Sequence, residues 1–310
     1  MKDDILHLLR SLRAYAVEKG YEIGLLYHEE DSSLMRFANS AVSLNTNEHI
    51  IRLQVLAYAG RRRAAYEMIT ARDQVNEMKR GIDRAAEMVQ HAQPLNYDIT
   101  IPVLKADFVD ERAFDPALAA MSSEERLTFF NQAVDGLEEE DLLLSGIFSS
   151  GVNTWAQINT RSDYVQYFQT TDAQISVVLA HRILKWEVTA EQSAQRQSDL
   201  NAAALHHELS FLVRCYKECP AVQLPLGKYD VVFGQAALGD LLSMMNWIGF
   251  NGGASKRGFG FLSQEMVGKR VFSGRVTLVD DPTRRETFPF GQDFMRSEEH
   301  TSELQSPNTI

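Results

Sequence analysis

Apolar residues recur at helical spacing in the first part of the chain. Between residues 4 and 19, the i, i+3, i+4, i+7 pattern predicts an amphipathic helix, and Gly20 stands where such a helix ends. The apolar stripe consists of Ile5, Leu8, Leu9, Leu12 and Ala16. A second stripe over residues 75–89 predicts another helix, with Asp73 as its N-cap.

Alternating apolar and polar residues predict strands in two regions of the chain. The first region gives strands at 21–27, 34–44, 49–58 and 62–70, with a turn at Ala59-Gly60 before the last. The second region gives shorter strands at 142–149, 153–159, 165–170, 173–180 and 184–188. Between the two regions, Ser122 and Glu125 have the spacing of a capping box ahead of a helix.

A boundary between two domains is predicted at the prolines that follow a long helix at 198–219. Pro220 and Pro225 mark the linker. Beyond it, the pattern predicts a strand at 229–233, a helix at 235–247, a glycine-rich loop at 249–260 and a strand pair around 271–279. The fold class is therefore α+β. An N-terminal mixed domain of helices on antiparallel sheets (1–219) precedes an incomplete β-rich C-terminal domain (220–295).

Residues 296–310 read as a non-native tail. Their sequence, RSEEHTSELQSPNTI, shows no helical or strand period, and its first eleven residues resemble a translated sequencing adaptor. We expect the natural protein to continue past Met295, so that the second domain is truncated.

The amino-acid composition argues against two classes of protein, nucleic-acid-binding and membrane-spanning proteins, but it does not indicate an activity. The 310 residues carry 31 Lys+Arg against 42 Asp+Glu, a formal net charge of −11. Such a balance argues against binding nucleic-acid phosphates, which needs clustered basic residues. No apolar run is long enough for a membrane span, and no secretion signal begins the chain. We therefore expect a cytoplasmic protein.

The predicted long helix carries two groups of metal-ligand residue types. His206-His207-Glu208 lacks the second histidine that HExxH spacing requires, because Phe211 and Leu212 stand there, so a solvated or capped helix face is the simpler interpretation. Cys215 and Cys219 are too few to complete a metal site, and we interpret them as free thiols.

Three further motifs have simple structural interpretations. The glycine-rich loop lacks the order of a P-loop and follows a helix, which favours a flexible connection. Asp280 and Asp281 point to opposite faces if they lie on a strand, so they do not form an acid–base pair. Arg61-Arg62-Arg63 lies at a predicted hairpin tip. From the residues alone, no active site is identified.

Two stretches together resemble the TldD/PmbA family of zinc-dependent peptidases and their partner subunits. The first is Arg-Phe-Ala-Asn-Ser-Ala-Val at 36–42, followed by the strands around Gly60. The second begins with Leu-Pro-Leu-Gly-Lys-Tyr-Asp-Val-Val-Phe at 224–233 and runs through the helix after it to Asp-Asp-Pro at 280–282. The resemblance spans nearly all of residues 1–295.

The resemblance also implies where the family's zinc helix would lie. Its HExxxH motif falls on Ser243 and Ile248 for the two histidines and on Met244 for the glutamate, and none of these can do the family chemistry. The third ligand, a cysteine near the C-terminus, falls beyond Met295. The pattern is similar to the PmbA (TldE-like) branch, whose members lack the metal helix.

The function implied by this branch is that of an accessory subunit. We expect the chain to pair with a TldD-like catalytic subunit, to help enclose a cavity that admits unfolded peptides, and to bind no cofactor, with zinc held by the partner. Two alternatives stay open: a self-sufficient metallopeptidase with an atypical site involving His206 or His207, and a homodimer that binds peptides without cleaving them.

Overall fold

The structure is a computed structural model that describes residues 2–137, 139, 141–219, 222–250, 254–255, 258–260, 262–266 and 268–279. The helices are α1 (Lys2–Glu18), α2 (Val75–His91), α3 (Pro116–Ala119), α4 (Ser123–Val134), α5 (Ala202–Glu218) and α6 (Gln235–Ile248). The strands are β1 (Glu22–Ala38), β2 (Ala41–Ala59), β3 (Arg62–Thr70), β4 (Phe108–Ala113), β5 (Leu142–Asn159), β6 (Gln166–His181) and β7 (Glu187–Ala194).

All the strands of the described residues form one seven-stranded sheet. Its order is β3-β2-β1-β5-β6-β4, and β7 also pairs with β6. Every pairing is antiparallel except that of β4 with β6, which is parallel. With helices packed on this sheet, the predicted α+β class is confirmed.

Long strands replace several short ones in the prediction. The strand predicted at 21–27 and the first part of the one predicted at 34–44 form a single strand, β1. The prediction of one strand over 34–44 is wrong, because the chain turns at Asn39 and Ser40, both with positive φ. The five short strands predicted after residue 141 are likewise three, β5 to β7. Polar residues do not end a strand, because ladder hydrogen bonds come from the backbone.

One face of the sheet carries two separate apolar clusters with helices over them. The first cluster joins α1 and α2 to one end of β1, β2 and β5, and it includes the complete predicted stripe of α1. The second joins α3, α4 and α5 to the opposite end of β1 and to β5, β6 and β7. A smaller cluster lies on the other face, around Leu26, Trp155 and Phe168. Polar residues of β1 lie between the two large clusters.

Helix ends agree with the prediction in part. The capping box of α4 is present: Glu125 N donates to Ser122 Oγ, and Ser122 N donates to a Glu125 carboxylate oxygen. Helix α2 begins after Gln74 without a side-chain cap, so the N-cap predicted at Asp73 is wrong. Helix α5 begins later than predicted because Asn201 caps it, accepting from Ala204 N.

The connection between α2 and α4 holds two elements that the sequence pattern did not indicate, β4 and α3. Asp115 caps α3 by accepting from Ala117 N, and Pro116 occupies its first position. Strand β4 carries Asp110, Glu111 and Arg112 in succession. This charge run hides the alternation on which strand prediction depends.

Beyond residue 221, the predicted helix is confirmed and the predicted strands are wrong. Helix α6 lies within one residue of the expected bounds. Residues 229–233 and the described residues 271–279 are not strands, since nothing in the described part of the chain pairs with them.

Some of the predictions concern residues that lie outside the described part of the chain: residues 220 and 221, Asp280, Asp281 and the tail 296–310. The predicted domain boundary therefore stays a prediction. None of the described helices combines the length and apolar character needed to cross a membrane.

Candidate functional site

Helix α6, on which the resemblance places the family's zinc helix, has no imidazole, thiolate or carboxylate at the three positions that the resemblance singles out. Ser243, Met244 and Ile248 are all exposed on it. Zinc sites in proteins use imidazole, thiolate or carboxylate ligands. Met244 offers only a thioether and Ile248 no lone pair, so this set does not fit a zinc ion.

The histidines of α5 do not converge on a site. His206 is half-buried, with Nδ1 3.2 Å from the carbonyl oxygen of Ala133 and Nε2 3.2 Å from Ser210 Oγ. The Nδ1 contact ties α5 to α4, whereas the Nε2 contact is made within α5 itself. His207 and Glu208 are exposed. This arrangement agrees with the interpretation of a solvated or capped helix face.

The cysteines and the basic triplet singled out from the sequence also form no site where the structure describes them. Cys215 is half-buried and Cys219 is exposed, and both are free thiols. Arg62, in the basic triplet, donates from Nη1 to the carbonyl oxygen of Gln90 at 2.8 Å, which ties β3 to the end of α2. The glycine-rich loop is described only in part.

A group of titratable residues that the sequence analysis passed over lies in the middle of β1. His28, Glu29, Glu30 and Asp31 are consecutive, and the first three are buried. Successive strand residues point to opposite faces of a sheet. The run is therefore divided between two networks, one on each face.

On the helix-covered face, an imidazole lies between two carboxylates. His49 Nδ1 is 2.5 Å from Asp31 Oδ1, and His49 Nε2 is 3.4 Å from Glu29 Oε1. The buried Glu29 also pairs with the guanidinium of Arg72 and accepts a 2.6 Å hydrogen bond from the hydroxyl of Tyr27. This arrangement occupies the polar gap between the two apolar clusters.

The charge of Arg72 makes the cluster of Glu29, Asp31 and His49 better suited to an ion-pair network than to binding a metal cation. Burial raises the pKa of Glu29, but the hydrogen bonds from Arg72 and Tyr27 outweigh it, and the pKa lies below its ordinary value. Ligand atoms of Glu29, Asp31 and His49 lie within 4.8 Å of one another, a geometry that could hold a metal ion. The charge of Arg72 already neutralises Glu29 and opposes a second cation.

The other face carries a hydrogen-bonded chain that crosses three strands. His28 Nε2 lies 2.8 Å from Asn153 Oδ1, and Asn153 Nδ2 donates to Asp172 Oδ1 at 2.7 Å. The imidazole of His28 also stacks on the indole of Trp155, with ring centroids 3.5 Å apart. Beside them, the buried Glu30 accepts from Arg52 at 2.9 Å.

Burial shifts the pKa values of the two residues at the ends of this hydrogen-bonded chain, His28 and Asp172, in opposite directions. Burial lowers the pKa of His28 to about 4, so that the ring is neutral at pH 7. Burial likewise raises the pKa of Asp172 to about 6, against the hydrogen bond from Asn153, which lowers it. The two networks join strands and hold charge inside the sheet, and neither contains an activated nucleophile.

Neither network is evident from the sequence, because residues 28–33 lie between the predicted strands at 21–27 and 34–44. A usable signal was present, since a polar run flanked by apolar alternation on both sides is compatible with one continuous strand. What the sequence does not contain is the identity of the partners, which come from β2, β5, β6 and the loop before α2.

A cavity of about 200 Å³ lies beside the polar gap, and we name it the β2 cavity. Asp31, Ser33 and Asn47 contribute to its lining from the β1–β2 hairpin, Ser150 from β5 and Met121 from the segment after α3. Ser33 Oγ donates to Asn47 Oδ1 at 2.7 Å across the hairpin. The lining thus mixes hydroxyl, amide and apolar groups.

A second notable surface is apolar and lies in the described residues after 221. Its large side chains are far more exposed than those of the sheet domain, with Leu226 and Val232 almost fully exposed. We name the following set the C-terminal apolar surface: Leu226, Val231, Val232, Phe233, Leu238, Leu241, Met244 and Trp247. Large apolar side chains exposed in such number are typical of chain segments that other protein covers.

Comparison with known proteins gives a family match for the C-terminal part of the chain and a similar fold for about two thirds of it. Residues 226–297 match the PmbA/TldA metallopeptidase C-terminal domain. No curated protein is significantly similar to the chain in sequence.

Solved structures with a similar fold come from bacteria and an archaeon. A proposed modulator of DNA gyrase from Bacteroides thetaiotaomicron has a TM-score of 0.54 at 13% identity, over 67% of this chain and 49% of its own. A proposed modulator of a DNA gyrase from Thermotoga maritima gives 0.50 at 12% identity, over 64% and 45%. TldE from Thermococcus kodakarensis gives 0.50 at 11% identity, over 68% and 47%. The chain spans about half the length of these solved relatives.

Proposed function

Since this chain is a TldD/PmbA/TldE-family protein, we propose that it is the accessory subunit of a heteromeric, zinc-dependent peptidase. In this proposal it binds no zinc, pairs with a TldD-like catalytic chain in the cytoplasm and helps enclose a cavity for unfolded peptides. The proposal depends mainly on three residues of α6. Ser243 and Ile248 occupy the positions of the two histidine ligands, and Met244 occupies that of the glutamate base.

Two further observations support a subunit role. The C-terminal apolar surface is suited to a protein partner, because covering it removes large apolar side chains from water. The net charge of −11 does not favour direct contact with nucleic acid. Polypeptide is therefore the more suitable class of partner.

Coexpression with an HExxxH-bearing relative tests the proposal. We expect the two chains to copurify and to hydrolyse an unfolded substrate such as reduced, carboxymethylated casein, with activity abolished by a chelator. Replacing the partner's motif glutamate by glutamine abolishes hydrolysis. In the same complex, Ser243→Ala is expected to leave it unchanged, because Ser243 takes no part in the chemistry.

The competing functions give different results in this experiment. Chelator-sensitive hydrolysis by this chain alone, lost in His206→Ala or His207→Ala, would show a self-sufficient metallopeptidase. A stable dimer of this chain that binds peptide and ignores the HExxxH chain would show a free-standing binding protein. Either result contradicts the accessory role.

A further inference from the structure

A buried arginine in helix α4 is held by uncharged groups alone. Arg126 is 2% exposed. Its Nη1 donates to the carbonyl oxygen of Met121 at 2.9 Å and to Ser150 Oγ at 3.2 Å, and its Nη2 donates to Ser123 Oγ at 3.0 Å. Its Nε is also buried and has no hydrogen-bond partner among the described residues. The guanidinium therefore keeps a full charge inside the protein without a counter-ion.

The absence of a carboxylate distinguishes Arg126 from arginines that are less buried. Three of those each form an ion pair: Arg13 with Asp163, Arg52 with Glu30, and Arg72 with Glu29. No carboxylate of the described residues pairs with Arg126, because the neighbouring Glu125 accepts from Ser122 instead. Burial lowers the pKa of Arg126, and the charge of Glu125 only partly opposes this effect. An unpaired charge is costly to remove from water.

The place of Arg126 in its helix adds to the demand for negative charge. It is the fourth residue of α4, which begins at Ser123. The first turn of a helix carries positive partial charge, so a cation is unfavourable there. Glu124 and Glu125 in the same turn are exposed, and solvent screens their charges. An anion close to Arg126 would thus be attracted by both the guanidinium and the helix end.

The β2 cavity lies beside the groups that Arg126 binds. Met121 and Ser150, which accept its hydrogen bonds, both line this cavity. Because Ser150 Oγ accepts from Arg126, its own hydrogen is available for donation to a ligand. Asn47 accepts from Ser33 through Oδ1 and keeps its amide hydrogens as further donors. The cavity therefore offers neutral donors with a buried positive charge behind one of them.

Two acidic residues also belong to the lining, Asp31 and Glu48. Asp31 Oδ1 lies 2.5 Å from His49 Nδ1, and its side chain is 59% exposed, so water screens its charge. Glu48 precedes His49 in β2, and strand alternation directs its side chain to the opposite face of the sheet. The charge of Arg126 is screened less than either, since its side chain is out of water.

We propose that the β2 cavity binds a short-chain aliphatic carboxylate, a free acid such as butyrate, as the counter-ion of Arg126. Ser150 and Asn47 donate to the carboxylate, and the apolar lining residues Leu118 and Val152 contact the alkyl chain. A single negative charge matches the single guanidinium, and a volume of about 200 Å³ leaves room for a few carbon atoms. This inference does not depend on the proposed function.

Saturation-transfer NMR on the full 310-residue chain tests the proposal with sodium butyrate. We expect saturable binding of butyrate that sodium chloride at equal ionic strength does not displace. Butyramide, which has nearly the same shape without the charge, is expected to bind at least tenfold more weakly. No binding of butyrate, or equal binding of butyramide, would overturn the proposal. Tighter binding of N-acetylglutamic acid α-amide than of butyrate would overturn the assignment to a free acid, because that probe carries the carboxylate on a peptide unit.

Three variants locate the site. Ser150→Ala removes one donor and keeps the guanidinium, and it is expected to weaken butyrate binding at least tenfold. Arg126→Met removes the charge at similar length and is expected to abolish binding. Arg36→Met, the matched control, removes an exposed guanidinium from β1 and is expected to change binding less than twofold.

Urea unfolding checks that each variant is folded. If Arg126→Met does not fold, Ser150→Ala decides the result. Unchanged binding in Ser150→Ala, or equal weakening in Ser150→Ala and Arg36→Met, would contradict a site in the β2 cavity.

Discussion

At the scale of single residues, the position of a polar side chain along β1 decides which partner it meets. Glu29 and Asp31 face the helices and share His49, whereas His28 and Glu30 face the opposite side and meet Asn153 and Arg52. A shift of one residue in the register would exchange these faces. The ladder between β1 and its neighbours therefore specifies every one of these contacts.

Opposite pKa shifts in the His28–Asn153–Asp172 chain give a pH prediction. The folded pKa of His28, about 4, lies below its ordinary 6.5, so its contribution to stability is present above pH 6.5 and lost as the pH falls to 4. The folded pKa of Asp172, about 6, lies above its ordinary 3.8, so its contribution is present below pH 3.8 and lost as the pH rises through 6. The two contributions oppose each other between pH 4 and 6.

Single variants separate the two groups. Relative to the unsubstituted chain, Asp172→Asn is expected to be more stable at pH 7 than at pH 4, and His28→Gln more stable at pH 4 than at pH 7. Each difference is expected to be about 2–3 kcal/mol. Urea unfolding at pH 4, 5, 6 and 7 measures it, and parallel pH curves for both variants would contradict the assignment.

At the scale of elements, close approach of strands explains a glycine inside β5. A Cβ atom on Gly146 would lie 2.4 Å from the backbone oxygen of Ser176 on β6, a contact that only a shift of the strands could relieve. On α6, a Cβ atom on Gly239 would meet nothing within 4 Å. The same substitution therefore has different consequences at the two positions.

Gly146→Ala is expected to destabilise the sheet by about 1–3 kcal/mol, the usual range for overpacking. Thermal and urea unfolding measure this change. Gly239→Ala serves as the matched control and is expected to leave the sheet's stability unchanged while favouring α6 by up to about 1 kcal/mol. Equal stability of Gly146→Ala and the unsubstituted chain would show that β5 and β6 can separate at this point.

At the scale of the whole molecule, the buried clusters lie entirely before residue 220. All residues of the three apolar clusters belong to the part between Ile5 and Val213. Helix α6, by contrast, has no buried residue. The sheet and the helices α1 to α5 therefore share these clusters, to which the described residues after 221 add none.

This asymmetry predicts how the chain behaves in solution. With the C-terminal apolar surface uncovered, we expect the 310-residue chain to self-associate, and residues 1–219 alone to stay monodisperse and melt cooperatively. Light scattering after size-exclusion chromatography measures both. Leu238→Glu/Leu241→Glu, which makes the surface polar, is expected to reduce self-association of the full chain, and an unchanged elution profile would contradict the role of this surface.

Local signals in the sequence determined the longer helices but not α3, together with the turn at Gly60, the capping box of Ser122 and the α+β class. These depend on residues within about one turn or one strand of each other, so periodicity and capping chemistry suffice to read them. The family resemblance and the lack of zinc ligands at Ser243, Met244 and Ile248 were likewise readable from the order of residues. Interactions close in sequence are the ones that a linear pattern records.

Only the tertiary structure decided the joining of short strands into β1, β5 and β6 and the meeting of His49 with Glu29 and Asp31. Each depends on which strands pair and where the pairing stops, and those partners lie tens to more than a hundred residues apart. Conversely, the predicted strand at 229–233 has no pairing partner in the described residues. A strand is a property of a pair of segments, because its backbone hydrogen bonds are made with another segment, and one segment's sequence cannot specify it.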